Sequence, residues 1–394
     1  MKFNLNKFNI NAIFTLLILK LTFSYLDIEL GWWLRHLTPD SQRFNFLGLK
    51  PGFSGKIEYV LFPLIIFYVV NNFKKLGNYK VTFFLTTFLF SFNIITSCIN
   101  NQELINSITY SLKICSPIYF LFVLETHFKS SHLELKLKLK KLIMFIFFLA
   151  LIAFCIFNVS YNRGHERLPI YFSGLHTHNY ILSIAFVTIA YFLKDKRYYL
   201  LSFLIASFFF LLIGYNVRTP LIFYFIFSIT ILYYASNSFK RVYAFLFVAS
   251  PIFLALLYLN YSNYNFDEFS SGRITMYKEK LNIISRFNTK EVLFGRGWGT
   301  DLISTDKWWY EKKSSHNDYL TLIVENGIIY LLFFLLTIFS LLLTKKHISI
   351  FLIALILGYL TTSFFSNGIA LRPLVGYMFF MTYALISTKN NFYE

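Results

Sequence analysis

The chain reads as an all-α membrane protein, a bundle of about twelve transmembrane helices with one long outer loop that holds short amphipathic helices. Three observations predict this. Of 394 residues, 56% are hydrophobic and only 14% charged. Apolar runs of the roughly 20 residues that cross a bilayer recur along the whole length. Runs such as 142–159 are continuous rather than alternating, which excludes barrel strands and leaves helices, because backbone in hydrocarbon must satisfy its own hydrogen bonds.

The runs fall at 10–27, 57–71, 81–99, 105–124, 142–159, 175–193, 199–215, 219–235, 242–259, 319–343, 348–364 and 374–388. The first follows Lys2 and Lys7 like a signal peptide, but no small-residue cleavage site follows it, so it is read as a retained span. With the N-terminus inside, alternate connections hold Lys74, Lys75 and Lys80; Lys136, Lys138, Lys140 and Lys141; Lys194, Lys196 and Arg197; Lys240 and Arg241; and Lys345 and Lys346. Each inner loop is therefore basic, as the positive-inside rule requires. Residues 1–259 then hold helices one to nine, 260–318 the long outer loop, and 319–394 helices ten to twelve, all in one membrane domain.

This topology sorts the two cations differently. Sixteen of 26 lysines fall inside, whereas nine of 11 arginines fall outside: Arg35, Arg43, Arg163, Arg167, Arg218, Arg273, Arg286, Arg296 and Arg372. A guanidinium fork binds phosphate or carboxylate in two-point fashion better than an ammonium does. The outer face is thus expected to receive an anionic, phosphate-bearing ligand, with snorkelling to headgroups as the plain alternative for individual arginines. The net charge of +18 belongs to these two faces; no nucleic-acid motif accompanies it.

Within the outer loop, Ile274, Tyr277, Leu281 and Ile284 recur at helical spacing between Gly272 and Phe287, predicting an amphipathic helix capped by Ser270 or Ser271. Arg273, Lys280 and Arg286 form its polar face, either solvated or turned toward an anion. Gly295-Arg296-Gly297-Trp298-Gly299 permits a tight irregular turn. Cys98, Cys115 and Cys155 all lie in apolar runs and read as packing residues. His176 and His178 are two apart and share no helix face, so no zinc site is expected, and no other metal or cofactor motif is present.

His316 stands where the outer loop meets the tenth run, within Ser315-His316-Asn317. His316-Asn317 followed by Gly327 and Tyr330 resembles the signature of the O-antigen ligase and O-antigen polymerase family. Arg218-Thr219-Pro220-Leu221, at the outer start of a run, resembles the family's arginine motif, with Pro220 departing from the small or apolar residue expected there. Gly272-Arg273-Ile274 with the glycine-rich turn resembles its loop pattern, and His178-Asn179 holds the place of its Pro-Asn or His-Asn element. The likeness covers roughly residues 160 to 376.

The resemblance implies an inner-membrane glycosyltransferase, metal-independent and without cofactor, that moves an oligosaccharide from undecaprenyl diphosphate to a sugar hydroxyl at the periplasmic face. Arg218, with Arg163, Arg167 and Arg273, would neutralise the departing diphosphate. His316 would take the acceptor proton, its ordinary pKa near 6.5 being held down by neighbouring arginines. Asn317, Gly327 and His178 would support the site. The acceptor glycan is a repeat unit for a polymerase or the lipid A core for a ligase, and a chain-length regulator and a flippase are the expected partners. Trp298, Trp308, Trp309 and Tyr310 are suited to stack on sugars and favour the polymerase. Two other classes remain. Asp27-Ile28-Glu29 matches the place of the acidic pair in metal-dependent polyprenyl-phosphate-sugar transferases, and a lipid-linked oligosaccharide transporter would place ionisable groups at depth, where Lys20 and Lys113 are nearly alone.

Overall fold

The computed structural model describes residues 9–24, 53–129, 131–156, 160–162, 165–167, 176–211, 218–235, 272–305, 309–344 and 348–389. The architecture is all-α, with two short antiparallel hairpins. The helices are α1 (Asn9–Ser24), α2 (Glu58–Asn71), α3 (Lys80–Ile99), α4 (Leu104–His127), α5 (His132–Ile156), α6 (His176–Leu193), α7 (Arg197–Phe209) and α8 (Arg218–Ala235). After these come α9 (Arg273–Ile284), α10 (Thr289–Phe294), α11 (Asp318–Leu343), α12 (Ile350–Phe365) and α13 (Pro373–Lys389). Strands β1 (Ser160–Asn162) and β2 (His165–Arg167) pair with each other, as do β3 (Ile303–Thr305) and β4 (Trp309–Lys313).

The expectation of about twelve transmembrane helices is corrected. Among the described residues, four segments are long and apolar enough to cross a membrane: Ser54–Asn71, Phe73–Ile99, Leu104–His127 and Asp318–Leu343. Six more apolar segments run to 17 residues or fewer: Asn9–Ser24, Thr177–Leu193, Arg197–Phe209, Thr219–Ala235, Ile350–Phe365 and Pro373–Thr388. The cause is local. The 13 residues of α7 rise about 20 Å at ~1.5 Å each, short of a hydrocarbon core about 30 Å thick. Helix α12 ends at Ser366, which is fully extended, and α13 cannot begin before Pro373. Helix α5 spans 25 residues, but Lys136, Lys138, Lys140 and Lys141 occupy its first half. The run at 242–259 lies outside the described residues. What stands is a multi-helical protein with several membrane-length apolar helices, consistent with membrane association.

Tertiary contacts give the bundle two chemically distinct ends. At one end the Asn78 amide donates to the Thr344 carbonyl at 3.2 Å, and Ser387 donates to Glu125 at 2.7 Å. There Lys194 sits over the rings of Tyr191, Tyr234 and Phe351, joining α6, α8 and α12. Lys74, Lys75 and Lys80 precede or open α3 at this same end, and Lys136 and Lys138 open α5. At the opposite end lie the glycine-rich turn, the Ser315-His316-Asn317 segment and the Phe364–Arg372 connection. Lysines thus collect at one end and the candidate site at the other.

Between the ends, aromatic rings fill the interior edge to face, as in Phe120 against Tyr377 at 5.3 Å. Lys20 is not a solitary charge: its ammonium lies 2.9 Å from the buried Glu58 carboxylate, and Tyr377 donates to Glu58 in turn. The pair ties α1 to α2 and α13. Of the cysteines, Cys115 is buried as expected of a packing residue, whereas Cys98 is exposed.

Candidate active site

His316 occupies an unusual backbone position. Its φ of 50° is one of two positive values at non-glycine residues among those described, a left-handed conformation that costs about 1–2 kcal/mol for a residue with a Cβ. Both neighbours are buried and fix it there. On the C-terminal side, Asn317 caps α11: its side-chain oxygen accepts from the Tyr319 and Leu320 N–H groups at 3.0 and 3.1 Å, and its amide donates to the Phe364 carbonyl at 2.8 Å. On the N-terminal side, the Ser315 N–H and hydroxyl donate to Asp301 Oδ2 at 2.8 and 3.0 Å. His316 itself remains partly exposed between them.

Asp301 is the foundation of this segment. Its Oδ2 also accepts from Thr321 at 2.8 Å, and its Oδ1 lies 2.8 Å from the Lys280 ammonium, with both side chains 1% exposed. This corrects the reading of α9. Lys280 does not lie on a solvated polar face; Met276 and Lys280, one turn apart, form the buried stripe, while Leu281 is 54% exposed. The reason is that an ion pair with satisfied hydrogen bonds can be buried, and the partner at 301 fixes which face turns inward. The N-cap is Gly272, at φ 79°, rather than Ser270 or Ser271, which lie outside the described residues.

Arg273 opens α9 and donates to the Phe365 carbonyl at the end of α12. One turn later Tyr277 donates to the His316 carbonyl at 3.3 Å. Burial raises the Tyr277 phenol above its usual pKa, with Arg273 opposing, so it stays a donor. The structure therefore brings Arg273, His316 and Asn317 together. Arg218 is the first residue of α8, and Arg167 pairs across the hairpin with Ser160; their side chains, and Arg163 altogether, lie outside the described residues. So do Asp27, Glu29, Trp308 and the side chains of Trp309 and Tyr310. His178 is buried on α6, its Nε2 3.3 Å from Ser24 Oγ, within electrostatic reach of Arg372.

Arg372 takes a place that the sequence did not single out. Its guanidinium donates to Thr177 at 2.7 Å and to the Asn367 carbonyl at 2.8 Å, and lies 6.0 Å from the Tyr180 ring. Asn367 donates to Ser314 at 3.3 Å, and the Gly368 N–H donates to Asp318 at 2.9 Å. Arg372 thus links the start of α6 to the loop holding His316. Desolvation lowers its pKa, Tyr180 and Asp318 oppose the shift, and an arginine stays charged regardless. The available signal was Arg372-Pro373 at the start of an apolar run, an arginine shortly before a proline as in Arg218-Thr219-Pro220.

Gly327 is more than a small residue in a membrane helix. At φ 82° and ψ 174° it breaks α11. The glycine-rich turn repairs the break: the Arg296 N–H donates to the Val324 carbonyl at 2.9 Å and the Gly297 N–H to Glu325 at 2.8 Å. The Gly299 N–H donates to the Glu325 carboxylate at 2.7 Å, and the Gln102 amide brackets the Trp298 backbone at 2.9 and 3.0 Å. A Cβ on Gly295 would overlap the Glu325 backbone, and one on Gly327 the Leu293 carbonyl. Gly327→Ala is therefore expected to lose about 2–4 kcal/mol, from a backbone region open essentially to glycine plus overpacking. The check is the unfolding midpoint in detergent; an unchanged midpoint would refute the close approach.

No known family model, curated protein or solved structure matches this chain. The functional reading therefore rests on the residues and geometry above. Those that the sequence reading passed over are Asp301, Lys280, assigned to a polar face, and Arg372, counted only among the outer arginines.

Proposed function

We propose that this protein is a membrane glycosyltransferase that moves an oligosaccharide from undecaprenyl diphosphate to a sugar hydroxyl, acting as a surface-polysaccharide repeat-unit polymerase. The observation that carries the reading is His316, partly exposed and held left-handed between the Asp301-anchored Ser315 and the helix cap Asn317, beside the segment that receives Arg273. Strained backbone retained by surrounding bonds is characteristic of functional positions. The lysines gathered at the far end of the bundle support a cytoplasmic assignment for that end and, with it, a site that faces the periplasm from a bacterial inner membrane.

In the reaction, the acceptor O–H gives its proton to the His316 imidazole as the oxygen bonds to the anomeric carbon. The bond from that carbon to the diphosphate oxygen breaks with its electron pair, and the lipid diphosphate leaves. Arg273 and Arg372 hold backbone carbonyls of Phe365 and Asn367, at the end of α12 and in the connection after it, which the His316 segment contacts through Asn317 and Ser314, and the resemblance adds Arg218, Arg163 and Arg167. Fixed guanidinium donors stabilise charge that grows on the leaving group. Attack opposite that group inverts the anomeric centre. Activity should survive EDTA, whereas loss on chelation would favour the metal-dependent transferase class.

A deletion strain complemented with the His316→Ala chain is the test. Lipid A core capped by a single repeat, with lipid-linked repeats still exposed outside, is the expected result. Bare core with accumulated lipid-linked polymer would reassign the same chemistry to a ligase. Wild-type glycan from this variant would remove the proposal.

A further inference from the structure

Lys136 and Lys140 are placed in a way that a basic end of the bundle does not by itself require. They stand one turn apart on α5 and reach over the same ring, their ammonium groups 5.5 and 5.7 Å from the centre of Phe192 near the end of α6. Like charges at this spacing repel on a helix. Among the described residues neither has a carboxylate partner. Glu134 lies 4.0 Å from Lys138 instead, and Lys138 turns toward α1, where it stands over the Phe14 ring and donates to Asn11 at 3.2 Å. Lys194, two residues after Phe192, is already held among the rings of Tyr191, Tyr234 and Phe351. The exposed turn Asp195-Lys196-Arg197 that follows adds two cations and one acid.

Two apolar stripes lead away from these cations. On α5, Leu137, Met144, Phe148 and Leu151 are exposed and share one face with the exposed Lys140, at spacings of three and four residues. On α7, Tyr198, Leu201, Ile205 and Phe209 repeat the pattern, starting beside Arg197. Helix α6 lies between the two, its Phe186 meeting Phe147 of α5 at 5.6 Å and Phe203 of α7 at 5.8 Å. Lys140 stands eleven residues from Leu151, about 16 Å at ~1.5 Å per residue. That is the depth of one leaflet, half of a hydrocarbon core about 30 Å thick. A phosphodiester at the head of such a track would relieve the lysine repulsion while its acyl chains cover the stripe, and clustered cations beside a membrane helix attract anionic headgroups. A zwitterionic headgroup brings an ammonium of its own, and a free phosphate leaves the stripes uncovered.

We infer that Lys136 and Lys140 over Phe192, with the Lys196-Arg197 turn, bind an anionic glycerophospholipid of the leaflet at the lysine-rich end, its acyl chains lying along α5 and α7. The lipid neutralises the paired lysines and holds α5 to α6. Binding rests on the membrane association of the bundle and needs neither a sugar nor His316, so it stands or falls apart from the proposed transferase activity.

The test uses the full chain, purified and delipidated in detergent, titrated with phosphatidylglycerol or with phosphatidylcholine of the same acyl chains. The unfolding midpoint is expected to rise with phosphatidylglycerol and to saturate, and to stay near its starting value with phosphatidylcholine. Replacing both lysines, Lys136→Gln with Lys140→Gln, should weaken the apparent affinity for phosphatidylglycerol at least about ten-fold. Lys140→Gln alone, at an exposed side chain, covers the case in which the double variant does not fold, and should weaken it about five-fold. Lys74→Gln with Lys80→Gln removes the same charge from the same end of the bundle and should keep the wild-type affinity. Equal stabilisation by the two lipids would overturn the inference and leave the stripes as ordinary bilayer contact. A loss in the Lys74 and Lys80 variant as large as in the Lys136 and Lys140 variant would replace a site by diffuse charge, and protection by glycerol phosphate as strong as by phosphatidylglycerol would replace the lipid by a free anion; either result overturns it as well.

Discussion

Replacing His316 by alanine is expected to lower glycosyl transfer by about 10²–10⁴-fold, the range contributed by a general base, with little effect on folding. The side chain is partly exposed, so its loss opens no core cavity. The backbone conformation offers a sharper version. Because φ is 50°, His316→Gly removes the imidazole and also relieves the left-handed strain, so it should be as stable as the parent or more so. A glycine variant that is stable and inactive isolates the imidazole as the functional group. A glycine variant that retains wild-type transfer, measured with a lipid-diphosphate donor and a defined acceptor, would reduce His316 to a structural joint.

The second large effect lies beneath it. Asp301→Ala should destabilise the chain by about 3–5 kcal/mol, because Lys280 is then left charged and unpaired in the interior and Ser315 and Thr321 lose their acceptor. Lys280→Met is expected to cost less, since Asp301 keeps three hydrogen bonds. The double variant should recover part of the loss, giving a coupling of about 1 kcal/mol or more, as expected for groups in direct contact. Unfolding in detergent measures all three. An Asp301→Ala chain within about 1 kcal/mol of wild type would mean that the pair does not anchor the His316 segment. A double-variant loss equal to the sum of the single losses would mean that the two groups act independently.

These residues show how far the sequence could be read. The apolar runs located the helices well: the run at 81–99 is α3, that at 105–124 lies within α4, and that at 319–343 is α11. Counting each run as a span failed, because hydropathy reports composition while spanning also needs length. Ser366, Pro373 and the lysines of α5 cut that length in ways a count of apolar residues does not register. His316 and Asn317 were legible because a polar stretch stands out against an apolar run and because asparagine at a helix start has a known use. The apolar stripe of α9 misled, since its strongest inward contact is a lysine, and a lysine is read as exposed until its carboxylate is known.

Sequence alone determined that the chain is apolar and helical, where most of its apolar helices lie, and that lysine and arginine are distributed differently along it. Those properties depend on residue type and spacing, which are local. Tertiary structure alone decided that Lys280 is buried on Asp301, that Arg372 joins α6 to the His316 loop, and that the glycine-rich turn repairs a break at Gly327. Each of these is a pairing between distant residues, Arg372 with Thr177 being 195 apart. A buried charge or an opened backbone is tolerated only when its partner arrives, and no local pattern announces where that partner is.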